Sequence, residues 1–331
     1  EEVLVEIACS LQDTSGERCL CLAGGVALNC VANSRIAEDS GFQEIFVQPA
    51  AHDTGAALGA ALWVKHCVVP DAVPTVFADA YLGEEFVCPE RTLSGMVRGV
   101  MCVSPDQVAD RLQGGDILGW FAGRAEFGPR ALGHRSIVAD PRFADLADWM
   151  NRHVKRREWF RPLAPVVLAE DAGDWFLLAG ESPYMLLSPR VRPEKRHLIP
   201  GVVHVDGTAR VQTLRRELNP GLYDVIAAFK EKTGVPMLIN TSFNMAGEAI
   251  VHTPEDAVAC MQFGGLDGVV LNGQWLVTER DLPARQTPSL GGYLARRQQR
   301  YWEQHEQAAE ELRVVTEGRV GVRNLGCDGS I

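Results

Sequence analysis

Short apolar runs alternate with small-residue or amphipathic stretches along the first seventy residues, the signature of alternating strands and helices. Val3 to Leu11 reads as the end of a helix. Arg18 to Ala23 is a short apolar run, a buried strand, and it leads into Gly24-Gly25 and a helical stretch that Gly41 stops after Ser40. Glu44 to Pro49 is a second strand, Ala51 to Gly55 the turn after it, and Ala56 to His66 a helix rich in small residues.

Pro70 to Gly83 has scattered turn signals and no helical period, which makes it a linker. Beyond it, Gln107–Leu112, Phe143–Val154 and Leu222–Thr233 have helical spacing, the last stopped by Gly234. Gly115–Phe121, Pro165–Leu168, Tyr184–Leu187 and Pro236–Thr241 read as strands, and Arg210 is expected on a further one. Thr253, Pro254 and Asp256 mark a helix start with Thr253 as its N-cap. Asn272-Gly273 between two apolar triplets predicts a type I′ hairpin. Leu290 to Leu312 has the spacing of a packing helix.

At 331 residues the chain can hold two domains, and 46% apolar with 23% charged residues is ordinary for a globular protein. The net charge of −11 argues against nucleic acid as the main partner, since backbone binding needs a broad positive surface. No apolar run is long enough to span a bilayer, and Glu1 to Ile7 lacks the basic start of a signal peptide. Nine cysteines with no Cys-x-x-Cys suggest buried thiols and a cytoplasmic setting. No His-x3-His pair occurs among the eight histidines.

Against this acidic background, Gly123 to Arg161 carries nine Lys/Arg and five Asp/Glu, a local balance of +4. A charge run is most often a solvated face. Here Phe127, Pro129, Leu132, Trp159, Phe160 and Pro162 frame the cations, as fixed positions would require, and arginine forks suit a phosphate-rich ligand. Gly24-Gly25 after a strand lets backbone amides approach a phosphate or ribose. Asp53 before a helix can hold a metal or cap the helix. Asp206-Gly207 reads as a tight turn before Arg210, and Asn240 to Asn244 is a polar cluster at a strand end, where α/β folds place ligands.

Six ordered blocks (24–29, 52–60, 126–136, 155–162, 204–211 and 240–244) together resemble the carbamoyltransferases that tailor nodulation factors and antibiotics such as tobramycin, cephamycins and ansamycins. The resemblance implies a mixed α/β chain: part of a Kae1-like lobe of the actin/sugar-kinase type plus an inserted YrdC-like unit. The expected domains are 1–70 in the first lobe, a linker at 71–83, a YrdC-like domain at 84–237, and a return to the first lobe with a helical tail at 238–331. ATP and carbamoyl phosphate would give carbamoyl-adenylate, with transfer to a hydroxyl of a small-molecule acceptor (an antibiotic, polyketide or sugar). By motif position Lys155, Arg210 and Arg130 are implied as catalytic. Arg161, Arg135, Arg157, Gly24, Gly25, Asn29, Asn240, Thr241, Ser242 and Asn244 are implied as binding residues. Asp53 is implied as a ligand to a divalent metal, Fe(II) or Mg, whose other ligands lie outside this chain. Lys155→Ala and Arg210→Ala are each expected to abolish adenylate formation with the fold intact. The family's upstream lobe, with its histidine pair, would be supplied in cis or trans; a homodimer is a further arrangement. Ala246 stands where the family carries a polar or basic residue. The alternatives are a nucleotide- or RNA-binding YrdC-like module without transferase activity, and a hydrogenase-maturation carbamoyltransferase, whose zinc-type cysteine pairs are absent here.

Overall fold

Three strands whose residues are all buried, Leu118–Phe121, Arg135–Ala139 and Ala164–Leu168, form the heart of the molecule. Their near-continuous apolar character suits strands covered on both faces. In the computed structural model, which describes residues 1–69, 71–73, 77–86, 99–178 and 180–278, they belong to an eight-stranded mixed sheet. In chain order its strands are β3 (Gly99–Cys102), β4 (Leu118–Phe121), β5 (Arg135–Ala139), β6 (Ala164–Leu168), β7 (Gln212–Leu214), β8 (Met237–Ser242), β9 (Gly268–Leu271) and β10 (Trp275–Thr278). Their spatial order is β3-β10-β9-β4-β5-β8-β6-β7. A separate pair, β1 (Cys19–Leu22) and β2 (Glu44–Val47), runs parallel.

Among the described residues the α-helices of six residues or more are α1 (Glu2–Ser15), α2 (Cys30–Asp39), α3 (Thr54–Trp63), α4 (Pro105–Gln113), α5 (Ala144–Trp149), α6 (Pro220–Thr233) and α7 (Pro254–Gly264). Helix α6 packs on α4 and on strands β6 and β8. It starts at Pro220 behind the Asn219 cap and ends at Gly234 with φ 74°. Helix α7 opens at the expected N-cap, Thr253, which forms a capping box with Asp256. A π-helical turn, Met150–Val154, follows α5, so the helix read over 143–154 changes pitch midway.

Register places five chain ends at one edge of the sheet. Phe121 at the end of β4 faces Arg135 at the start of β5, and Ser242 at the end of β8 faces Ser136. Ala164 at the start of β6 faces Asn240, and parallel pairing aligns Val166 with Gln212 at the start of β7. The segments 122–134, 155–163, 203–211 and 243–250 therefore all emerge on the same side. Arg130, Lys155, Arg157, Arg161 and Arg210 are all in them.

Two expectations change. β8, β9 and β10 share the sheet of β4–β7, with β9 parallel to β4, so the boundary expected at 237/238 does not divide the sheet. The described residues all fall within one compact unit, Glu1–Leu282. Residues 27–50 touch later parts of the chain at Gly128, against the Pro49 carbonyl, and at 184–188, where Asn33 donates to the Leu186 carbonyl. Tyr184–Leu187 is a turn rather than a strand, because Met185 sits at φ 57°, outside the strand region. Asn272 and Gly273 both take positive φ, as the hairpin reading requires. The tail helix read at 290–312 lies outside the described residues.

Gly119 on β4 leaves room for the buried ring of Phe243: a Cβ there would lie 2.3 Å from Cζ. Gly119→Ala should cost about 1–3 kcal/mol through overpacking. Urea denaturation should show a lower midpoint at an unchanged slope.

Candidate functional site

The loop from β4 to β5 is closed by one carboxylate. Glu126 Oε1 accepts from the backbone N–H groups of Leu132, His134 and Arg135 at 2.7, 2.8 and 3.1 Å. This ring leaves Pro129 and Arg130 at its apex. Arg135 turns inward: its guanidinium donates to the carbonyls of Ala122, Gly123 and His134 and lies 3.7 Å from the centroid of the Phe121 ring. Expected to bind ligand, Arg135 is instead a buried brace, 1% exposed. His134 stacks on Tyr81 with ring centroids 3.7 Å apart.

Lys155, at the end of the π-turn, is 5% exposed. Its Nζ donates to the carbonyl and hydroxyl oxygens of Ser242 (2.6 and 3.0 Å) and to the carbonyl of Asn244 (3.0 Å), with Asn244 Oδ1 a fourth acceptor. The structure thus joins the Lys155 and Asn240–Asn244 motifs and gives Lys155 a structural duty beside any catalytic one. Lys155→Ala is not expected to leave the fold untouched. Burial, and then the charge of Arg157, pull its pKa down to about 7. An anion seated by Arg157 offsets that second effect. Anion binding near pH 7.5 should therefore draw in a fraction of a proton. Calorimetric titration with inorganic pyrophosphate, in two buffers of different ionisation enthalpy, should show uptake; proton release would contradict it.

Asn240 and Thr241 lie deeper. Asn240 donates to Gln212 Oε1 at 2.7 Å, and Gln212 donates to the Leu132 carbonyl at 2.7 Å, a buried strut beneath the loop that carries Arg130. Thr241 is 9% exposed.

Three arginines converge, and Glu158 is the acid that acts on one of them, Arg157. Burial first, then Arg130, lower the pKa of Arg210 to about 10, and Arg157 adds to this. Among the described residues neither Arg130 nor Arg210 makes a hydrogen bond or ion pair, and the Nε of each is buried without a partner. Arg157 is held by Asn151 Oδ1 at 2.7 Å, and the Asn151 amide also donates to the carbonyls of Trp159 and Arg161. Arg161 is exposed and pairs with Glu158 at 2.7 Å. Arg210 lies two residues before β7 rather than on a strand. A half-buried set of like charges with unspent donors is arranged for an anion.

The front segment supplies a different surface. Gly24 N–H donates to the Ala51 carbonyl at 2.7 Å, which joins the two turns named from the sequence. Asn29 Oδ1 caps α2 by accepting from Val31 and Ala32 N–H, so that oxygen is spent on the helix. An open, largely apolar groove of about 530 Å³ is lined by Gly24, Gly25, Phe46, His52, Asp53 and Leu58, among others. Asp53 is exposed and its carboxylate does not cap α3; His52 Nδ1 accepts from Thr54 N–H instead. Among the described residues no three His, Cys, Asp or Glu side chains are grouped to hold a metal ion. The described residues do not by themselves make a metal site. Cys30, first residue of α2, is close enough to Arg210 to raise its pKa, which brings this segment to the arginines.

Three structural residues of the site, Glu126, Asn151 and Gln212, have no role that the sequence assigns. For Glu126 the available signal is an acid inside the arginine-rich block 126–136; Asn151 and Gln212 carry none.

Residues 109–278 match the family described as Carbamoyltransferase C-terminus, and residues 1–62 match Carbamoyltransferase N-terminus. The chain is 43% identical to nodulation protein NolNO of Sinorhizobium fredii, over 85% of this chain and 42% of that protein. It is 38% identical to a 3'-hydroxymethylcephem-O-carbamoyltransferase of Amycolatopsis lactamdurans, over 77% of this chain and 48% of that protein. An uncharacterised protein of Synechocystis is 43% identical, over 82% of this chain and 49% of that protein. The chain thus spans about half the length of the curated relatives it matches. Among solved structures, full-length HypF in the phosphate- and nucleotide-bound form is 17% identical with a TM-score of 0.38, over 52% of this chain and 22% of that one. No helix among the described residues is long and apolar enough to cross a membrane.

Proposed function

The chain belongs to the carbamoyltransferase family, and we propose that it makes carbamoyl-adenylate from carbamoyl phosphate and ATP. The observation that carries this is the arginine set: Arg130, Arg157 and Arg210 crowd together, and Arg130 and Arg210 have no acid partner among the described residues. In balance, water releases carbamate and phosphate from carbamoyl phosphate. A carbamate oxygen then attacks the α-phosphorus of ATP, and pyrophosphate leaves. Both steps pass through phosphoryl oxygens carrying concentrated negative charge, which preorganised guanidinium groups stabilise. Arg130 and Arg210 bind these oxygens, Arg157 adds charge from the loop held by Asn151, and Lys155 positions Ser242 and Asn244 at the rim.

Transfer to a hydroxyl of a small acceptor is the second half of the proposal, in keeping with the name of the cephem relative. The residues described supply His52 and Asp53 and no complete metal site, so no step is routed through a metal. Helix α3 has no buried residue although it reads TGAALGAALW, and Trp63 is 62% exposed. A further polypeptide segment, like the half of the relatives that this chain does not match, would cover that surface in cis or trans and complete the transferring lobe. The test is pyrophosphate release from ATP by residues 1–331. Release that requires carbamoyl phosphate supports the proposal; release indifferent to it favours a nucleotide-binding module with incidental hydrolysis.

A further inference from the structure

His204 lies on the segment that ends in Arg210, and its ring is fixed in one protonation pattern by its neighbours. Thr208 Oγ1 is 2.7 Å from Asp206 Oδ1 and donates its only proton there, since a carboxylate accepts. Thr208 N–H reaches the same Asp206 oxygen at 2.9 Å, and Ser188 Oγ donates to Thr208 Oγ1 at 3.2 Å. The hydroxyl therefore has only lone pairs left for His204 Nδ1, 3.0 Å away. Nδ1 must carry the proton, and Nε2 is left as a bare acceptor.

That Nε2 is buried and has no partner. It shares this condition with the Nε–H groups of Arg130 and Arg210. Burial, and the nearby charge of Arg210, hold the imidazole below its ordinary pKa against the opposing pull of Asp206, which keeps the ring neutral. Unmet buried groups of this kind need a partner, and a bound ligand can supply it. Here the ligand must offer acceptor oxygens to the arginines and one donor to the histidine. A carbamoyl group has both, in its oxygens and its NH₂. An acetyl group offers the oxygen and, in place of NH₂, a methyl that cannot donate.

We propose that His204 Nε2 accepts from the carbamoyl NH₂ and so sets a preference for carbamoyl over acetyl phosphate. This rests on the proposed use of carbamoyl phosphate. The two ligands carry the same phosphate, so any contact to that group cancels in the comparison.

The experiment is calorimetric titration of the 331-residue chain with carbamoyl phosphate and with acetyl phosphate, without ATP. Wild type should bind carbamoyl phosphate about tenfold or more tightly than acetyl phosphate, as expected for one buried hydrogen bond left unmade. His204→Phe should bind the two alike, with its acetyl phosphate affinity little changed. His204→Gln, which keeps a carbonyl acceptor, should recover part of the preference. Thr208→Val frees the ring to move its proton to Nε2 and should also lose preference, which covers the case of an unstable His204→Phe. A preference that survives in both His204→Phe and Thr208→Val overturns the inference, as does wild-type binding of both ligands without discrimination. Wild type that binds neither acyl phosphate overturns the proposed function and this inference together.

Discussion

Arg210→Met is expected to lose adenylate formation by about a hundredfold or more while the protein stays as stable as wild type or becomes more so. The two effects come from the same feature. Arg210 holds its charge in a buried site beside Arg130 and Arg157, and its pKa falls to about 10. Because the folded pKa is depressed, the charge opposes folding, and the cost is fully present below pH 10. Methionine retains much of the volume and removes the cost; replacing buried charge by apolar atoms is often neutral or stabilising. An anionic transition state needs that charge, and loss of one such donor typically costs about 3 kcal/mol. Pyrophosphate release and thermal melting on one preparation check both signs. A marked loss of stability would mean that Arg210 is braced by the protein rather than held for a ligand.

Lys155→Met should fail in the opposite way, losing activity and stability together. The substitution leaves the carbonyls of Ser242 and Asn244 without the ammonium that gathers them. Unmet buried acceptors should cost about 2–4 kcal/mol in all. The sign of the pH dependence is also fixed. With the folded pKa near 7 and the unfolded value in the ordinary lysine range, the unfolded chain binds more protons between them. Wild-type stability from this group therefore rises with pH across that window, and Lys155→Met lacks the rise. The gap between the two proteins should widen from pH 7 to 9. Equal denaturation midpoints at both pH values would remove Lys155 from its structural place.

These contrasting outcomes mark what the sequence could and could not reveal. The motifs that carry Arg130, Lys155 and Arg210 were legible because each sits beside its own turn or strand end. The N-cap at Thr253 was equally plain, because its hydrogen bond from Asp256 N–H spans three residues. What escaped reading depended on distant partners. Arg135 and Asn29 have the chemistry of ligand-binding residues, yet the terminal guanidinium N–H groups of Arg135 and the side-chain oxygen of Asn29 are spent on neighbouring backbone. Nothing local shows that expenditure. Tyr184–Leu187 has the apolar content of a strand, but Met185 takes a left-handed backbone and the Leu186 carbonyl accepts from Asn33, 153 residues away. The membership of β9 in the main sheet rests on parallel pairing with β4 across about 150 residues, and no periodicity reports it.

The most direct measurement is isotope exchange between pyrophosphate and ATP, catalysed by residues 1–331 with and without carbamoyl phosphate, beside Arg210→Met. Exchange that appears only with carbamoyl phosphate, and falls about a hundredfold in the variant, is the predicted result. Exchange at the same rate without carbamoyl phosphate, or undiminished in Arg210→Met, would contradict the account.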